Sequence, residues 1–311
     1  MKILVGYDSS ECADSALRDL ENAGLPKAAE VVVMTIADVF VPPPLSDETD
    51  REFPLYESEA IRRAHKRAEE KVQQAQLMAE RASERLLARF SGWRITPETI
   101  ADSPAWALIR KSDEWEPDLI VLGASGHSVL GGRLILGSVS QRVLYEASCS
   151  VRVARGHSRT TEAPLRLIIG VDSSSDSGAA IDAVCRREWP KGTEVRLLAV
   201  VDTVMALTPD PSQPSIMRWI EVEEEENWDE VRKIFQPAAD KLRSAGLDAA
   251  VMISRGSPAD QLIEEAETWG ADCVFVGAKG TRGIERLLLG SVSSAVSARA
   301  HCSVEIVRRK S

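Results

Sequence analysis

The segment Arg133-Leu134-Ile135-Leu136-Gly137-Ser138-Val139-Ser140 returns almost letter for letter as Arg286-Leu287-Leu288-Leu289-Gly290-Ser291-Val292-Ser293. The echo extends to both sides. Cys149-Ser150-Val151 answers Cys302-Ser303-Val304, Ser103-Pro104-Ala105 answers Ser257-Pro258-Ala259, Trp115 answers Trp269, and Asp118 answers Asp272. A repeat this long exceeds solenoid periods and marks a duplicated domain rather than an array. The chain has 311 residues, which suits two domains of ~150 each. We place the first domain at 1–155, a polar linker without periodicity at 156–164, and the second domain at 165–311.

Each copy alternates apolar strands with amphipathic helices. In the first, strands are expected at 2–8, 30–37, 95–101, 118–122 and 150–154. Helices are expected at 11–22, 57–90, 103–115 and 138–147. In the second, strands are expected at 165–172, 194–202, 249–254, 272–276 and 303–307. The helices there should span 177–189, 215–245, 257–269 and the stretch from 291, with Pro237 kinking or splitting the second. Ser103-Pro104 and Ser257-Pro258 read as N-cap and first helical residue. The proline-bearing stretches around Pro42 to Pro54 and Pro209 to Pro214 read as loops. Near-continuous apolar strands are buried on both faces, as in parallel sheets. Alternation of this kind implies two tandem, doubly wound parallel α/β sheets of Rossmann-like type with right-handed crossovers. Pro97 points to a sheet edge.

In each copy a glycine loop follows the fourth strand. The second reads Gly277-x2-Gly280-x9-Gly290-Ser291, and the first Gly123-x2-Gly126-x10-Gly137-Ser138. Glycines let backbone N–H groups approach a phosphate, and a helix start carries partial positive charge. The pattern is neither Walker A nor G-x-G-x-x-G. Ligands in such sheets sit at the carboxyl ends of strands. Asp8 and Asp172, ending strand one, would face the same crevice if strands one and four are neighbours. They could equally be N-caps of the helices that follow. Lys279, Arg282 and Arg286 could neutralise phosphate, or could be ordinary exposed basic residues, and His127 lies beside Gly126.

These residues resemble the universal stress protein family in its tandem form, over nearly the whole chain. The resemblance implies five strands in the order 3-2-1-4-5 and, in the ATP-binding branch, an adenine nucleotide held by the glycine loop, the strand-one Asp and a residue ending strand two. It places the second site at Asp172, Val200, Gly277, Gly280, Gly290, Ser291, Val292 and Ser293. The first falls on Asp8, Ile36, Gly123, Gly126, Gly137, Ser138, Val139 and Ser140. ATP, with or without Mg2+, is the implied ligand. The first copy departs from the pattern by one extra residue, which we place at Gly131-Gly132, so weaker binding is expected there. The resemblance also implies an internal pseudo-dimer through strand five, where two apolar edges would otherwise be exposed. A further homodimer is compatible with it, and the protein partner is left open.

Composition narrows the classes. A net charge of −10 argues against nucleic acid or an anionic membrane as main partner. No apolar run approaches the ~20 residues of a membrane span. The five cysteines, Cys12, Cys149, Cys185, Cys273 and Cys302, are scattered without a C-x-x-C pair and read as reduced residues of a cytoplasmic protein, with a packing role for the equivalent Cys149 and Cys302. There is no H-x3-H metal spacing and no nucleophile elbow. The expected function is an ATP-binding stress-response regulator with slow or no hydrolysis. The alternatives are a nucleotide-free interaction scaffold of the same fold and, for want of a candidate base or nucleophile, a less favoured adenine-nucleotide enzyme.

Overall fold

The computed structural model describes residues 1–39, 55–125, 136–156, 163–201, 214–280 and 289–309, with backbone only at 55–61 and 214–227. The first copy runs β1 (Lys2–Gly6), α1 (Glu11–Asp19), β2 (Glu30–Ala37), α2 (Leu55–Arg89), β3 (Arg94–Ala101), α3 (Pro104–Trp115), β4 (Leu119–Gly123), α4 (Ser138–Glu146) and β5 (Ser150–Ala154). The second runs β6 (Arg166–Val171), α5 (Ser175–Cys185), β7 (Glu194–Val201), α6 (Pro214–Ser244), β8 (Asp248–Arg255), α7 (Pro258–Trp269), β9 (Cys273–Gly277), α8 (Ser291–Arg299) and β10 (Ser303–Val307).

The ten strands of the described residues form one sheet in the order β3-β2-β1-β4-β5-β10-β9-β6-β7-β8. Within each copy the pairing is parallel and follows 3-2-1-4-5. The strand-one and strand-four neighbours that the crevice requires are therefore present twice. Pro97 sits on β3, the outermost strand, where its missing N–H is tolerated. The two halves meet where β5 and β10, the strands expected to be bare edges, pair antiparallel.

Packing follows the same division. One core under α3, α4, α7 and α8 is continuous across the joint, with Val143, Leu144, Val151 and Val153 in the same cluster as Val296, Val304 and Ile306. Separate cores lie on the other sheet face, under α1 and α2 and under α5 and α6. Cys149 and Cys302 are buried in the shared core, and all five cysteines are free thiols.

Two local expectations change, and a third is narrowed. The helix expected at 177–189 is α5, which starts two residues earlier and ends at Cys185. The residues beyond it leave the helix because they have tertiary work at the joint. Glu188 N donates to Gly24 O at 2.9 Å, and Trp189 packs edge-on to Phe275. Gly24 is a glycine for two reasons: its φ is +60°, and a Cβ there would lie 2.6 Å from the Trp189 ring. The stretch 11–22 is α1 followed by a 3-10 turn, Leu20–Asn22. Pro237 does not split α6. It lies exposed beside Lys233, also exposed, so the carbonyl that loses its donor one turn back can face water.

Charges cross the joint. Arg152 of β5 is directly opposite Glu305 of β10. Its guanidinium meets Asp19 at 2.5 Å and Glu305 at 3.2 Å, and Arg187 bonds both Glu305 oxygens. Burial opposes the charge on Arg152, but Asp19 and Glu305 outweigh it and hold the guanidinium charged. Two further arginines act as a pseudo-symmetric pair. Arg155 donates to Ser297 O in the last turn of α8, and Arg308 donates to Leu144 O in the last turn of α4. Each half thus supplies a cation to a helix C-terminus of the other.

Candidate functional site

The site grows out of the carboxyl ends of β6, β7 and β9. β6 stops at Val171, and Asp172-Ser173-Ser174 turns the chain into α5. Ser174, not Asp172, is the N-cap: its hydroxyl accepts from Ser177 N. Asp172 Oδ1 accepts from Ser174 N at 3.1 Å, closing the turn one step earlier. Ser173 between them sits at φ +61°, a left-handed conformation that costs a non-glycine residue about 1 kcal/mol. The first copy repeats every part: Ser10 caps α1, Asp8 Oδ1 accepts from Ser10 N at 3.0 Å, and Ser9 has φ +61°. The repeated Asp-Ser-Ser was the available signal for this strained turn, and sequence reasoning did not use it.

The glycines divide by role. A Cβ on Gly277 would lie 2.6 Å from the Asp176 carbonyl carbon, and one on Gly123 equally close to that of Cys12. The first glycine of each loop therefore lets the following helix start press against the strand end. Gly280 is different: its Cβ would meet Asp172 Oδ2 at 2.7 Å. Gly290 N donates back to Ala278 O at 2.8 Å, and Gly137 N to Ala124 O at 2.7 Å, so the end of each loop is tied to its beginning. Gly126, His127, Gly131, Gly132, Arg282 and Arg286 lie outside the described residues.

Ser293 and Ser140 are buried, and each donates its hydroxyl hydrogen to the last strand carbonyl, Gly277 O at 2.6 Å and Gly123 O at 2.7 Å. They pin the helix start to the strand and retain only acceptor capacity. Ser291 and Ser138, at the first helical position, are exposed. Gly290 and Gly137 serve as N-caps without a side-chain cap bond. The first amides of α8 and α4 thus lack the side-chain acceptor that Ser174 and Ser10 supply to α5 and α1.

In the second copy these parts face a cleft of ≈ 620 Å³. Asp172, Lys279, Gly280, Gly290 and Ser291 form its polar side. Val171, Val200, Val231, Phe235, Leu262 and Val276 form its apolar side. Of the expected second-site residues, Asp172, Val200, Gly277, Gly280, Gly290, Ser291, Val292 and Ser293 all line it. Val231, Ile234 and Phe235 of α6 and Leu262 of α7 are additions, since nothing in a helical stripe separates a pocket wall from core. In the first copy Ile36 lies at the end of β2 and Val139 in the first turn of α4, both packed against the shared core.

Two side chains beside the loops were also missed. Asp176 Oδ2 accepts from Lys279 N at 3.2 Å while its Oδ1 accepts from Arg309 Nε at 3.2 Å. At the corresponding place Cys12 Sγ lies 3.1 Å from Ser125 Oγ. The first copy further carries Tyr7, Asp14 and Arg85 together. Tyr7 OH donates to Asp14 at 2.7 Å, and Arg85 to the same carboxylate at 2.6 Å. Burial and the neighbouring Asp14 push the Tyr7 hydroxyl up to about 12, and Arg85 and Tyr7 together lower the Asp14 carboxyl against its own burial.

Comparison with known proteins bears on the family and the fold. The profile of the universal stress protein family matches residues 1–155 and again 165–308. A universal stress protein of Mycolicibacterium smegmatis is 29% identical over 309 residues, covering 98% of this chain and 96% of its own. The universal stress protein YxiE of Bacillus subtilis is 30% identical over 147 residues, covering 46% of this chain and 98% of its own. Among solved structures, a universal stress protein from Archaeoglobus fulgidus superposes with a TM-score of 0.61 at 20% identity, covering 99% of this chain and 98% of that one. The chain belongs to the universal stress protein family, with the family unit present twice.

Proposed function

Taking family membership as the premise, we propose that this chain binds an adenine nucleotide, ATP foremost, in the cleft of its second copy. It would act as a nucleotide-dependent regulator under stress, with slow or no hydrolysis. The observation that carries this reading is the α8 start, without a side-chain cap, opening into a half-apolar cleft of ≈ 620 Å³. A helix start without a capping side chain is an anion site, and a mixed cleft of this size suits a small charged ligand with a flat apolar part. In this reading the amides of Ser291 and Val292 and the Ser291 hydroxyl take the phosphates. Lys279 balances their charge, and the base lies toward Val200, Val231 and Phe235. Asp172 is placed to accept from ribose hydroxyls or to face Mg2+ on the phosphates. No side chain is assigned as base or nucleophile for hydrolysis.

A second reading, a scaffold without nucleotide, draws on two observations. The loop amide of Lys279 already has a carboxylate acceptor in Asp176, and Asp172 Oδ2 lies against Gly280. Mass spectrometry of small molecules released from the purified, denatured protein separates the two. ATP or ADP at near one per chain supports binding. Nucleotide-free protein that also gives no calorimetric signal with millimolar ATP would leave the scaffold reading.

A further inference from the structure

The joint between the halves pairs two strands that are equivalent in the duplication. Val151 lies opposite Ile306, Arg152 opposite Glu305, and Val153 opposite Val304. The matched Cys-Ser-Val runs make positions 151, 152 and 153 equivalent to 304, 305 and 306. The register is therefore self-complementary, centred on Arg152 and Glu305. Two first halves could meet through the same backbone ladder, and so could two second halves. The apolar neighbours do not discriminate, because Val151, Val153, Val304 and Ile306 are interchangeable in kind.

The central charges do discriminate. In the observed pairing the side chains form an alternating row, Asp19 then Arg152 then Glu305 then Arg187, with Arg152 1% and Glu305 0% exposed. Asp19 and Arg152 come from the first half, Glu305 and Arg187 from the second. A pair of first halves would place Arg152 against Arg152. A pair of second halves would place Glu305 against Glu305. Each Arg152 would keep Asp19 and each Glu305 would keep Arg187, but two like charges would meet at the buried centre, where water cannot screen them. Ser303 adds a crossing bond, donating to Asp19 Oδ1 at 2.7 Å.

We infer that β5 and β10 carry a charge code that accepts the opposite half as partner and rejects a second copy of the same half. Duplication produces two like edges able to pair with themselves, and opposite charges at one equivalent position convert them into a lock and its complement. The code goes beyond nucleotide binding and stands whether or not the cleft holds ATP.

The test uses the full chain with a protease site inserted between Gly156 and Ala163. After cleavage, native mass spectrometry across a dilution series counts the paired species. One first half with one second half should be the only abundant pair. Like pairs should fall at least about a hundredfold below their statistical share, since a hundredfold needs only ~2.8 kcal/mol. Glu305→Arg, which sets Arg against Arg, should weaken cross-pairing by about a hundredfold or more. The near-isosteric Glu305→Gln should weaken it about tenfold, and it decides the matter if the Arg variant loses its helical circular dichroism. Like pairs at their statistical share would overturn the code. So would cleaved wild-type halves that do not associate, or Glu305 variants that pair as tightly as wild type.

Discussion

At the second residue of the helix after the first strand, the first copy carries Cys12 and the second Asp176. Both side chains touch the residue two places after the loop's first glycine, Ser125 in one case and Lys279 in the other. The first copy contacts its loop through a cysteine sulfur, the second through an Asp side chain shared with Arg309. Tyr7 and Asp14 in the first copy become Val171 and Gly178 in the second, so the Tyr–Asp–Arg cluster has no counterpart beside the second cleft. The parts that shape the backbone are the same in both: Asp-Ser-Ser, the first glycine, the uncapped helix start and the serine pinned to the strand end. Duplication has kept the backbone at the two ends of each glycine loop and varied the side chains around it.

The largest test of this comparison is Gly290→Asp. The backbone there is ordinary, with φ −64°, and the nearest atom to a new Cβ is Ala278 O at 3.2 Å, so the fold should survive. A carboxylate ~4 Å from phosphate at an effective dielectric near 20 costs about 4 kcal/mol, close to a thousandfold in ATP affinity. Calorimetric titration should show the second site lost and a weaker first site remaining, by at least about tenfold, which Gly137→Asp then removes. Two equal sites in wild type would end the asymmetry. Loss of the tight site by Gly137→Asp instead would reverse it.

Gly277→Ala and Gly123→Ala should behave alike. Each new Cβ would press on the backbone of the following helix start, so something must shift. A loss of about 1–3 kcal/mol in urea unfolding is expected from either. Unchanged stability with lost ATP binding for Gly277→Ala would show that its place in the loop serves the ligand rather than packing.

Asp176→Asn keeps an acceptor for Lys279 N but removes charge near the proposed phosphates. At ~8 Å and an effective dielectric of ~40 this amounts to about 1 kcal/mol, a roughly fivefold gain in ATP affinity. A fall in affinity that appears only with Mg2+ present would instead make Asp176 part of a metal-facing pair with Asp172.

The smallest expected effect belongs to the first copy. Folding raises the Tyr7 hydroxyl from 10.0 to about 12. The folded state therefore holds a proton that the unfolded chain gives up between those values. This contribution is complete below pH 10 and is lost as pH rises toward 12. The difference between wild type and Tyr7→Phe in urea unfolding should shrink over that window. A difference independent of pH would mean that burial and Asp14 do not raise the hydroxyl.

Much of this was legible without coordinates. The glycine spacing, the repeated Gly-Ser-Val-Ser and the apolar strands place the loops after the fourth strands, because these patterns act through local backbone geometry. Strand order 3-2-1-4-5 came through the resemblance, and Pro97 marked an outer strand because its missing N–H is a local property. The packing role of the first glycine was not legible, since its close neighbour is the backbone of Cys12 or Asp176 more than a hundred residues away. The same distance hid the end of α5, where Arg187 and Trp189 are taken up by the first half.

The sequence by itself determined that one α/β unit is written twice, with a glycine loop and a bare fifth strand in each. Repetition, periodicity and turn chemistry are properties of neighbouring residues. Only the tertiary structure decided that Asp19, Arg152, Glu305 and Arg187 form one row with a buried centre, and that α6 and α7 wall the second cleft. These outcomes depend on which side chains a ten-stranded sheet brings together, and burial at that sheet decides which charges must be paired.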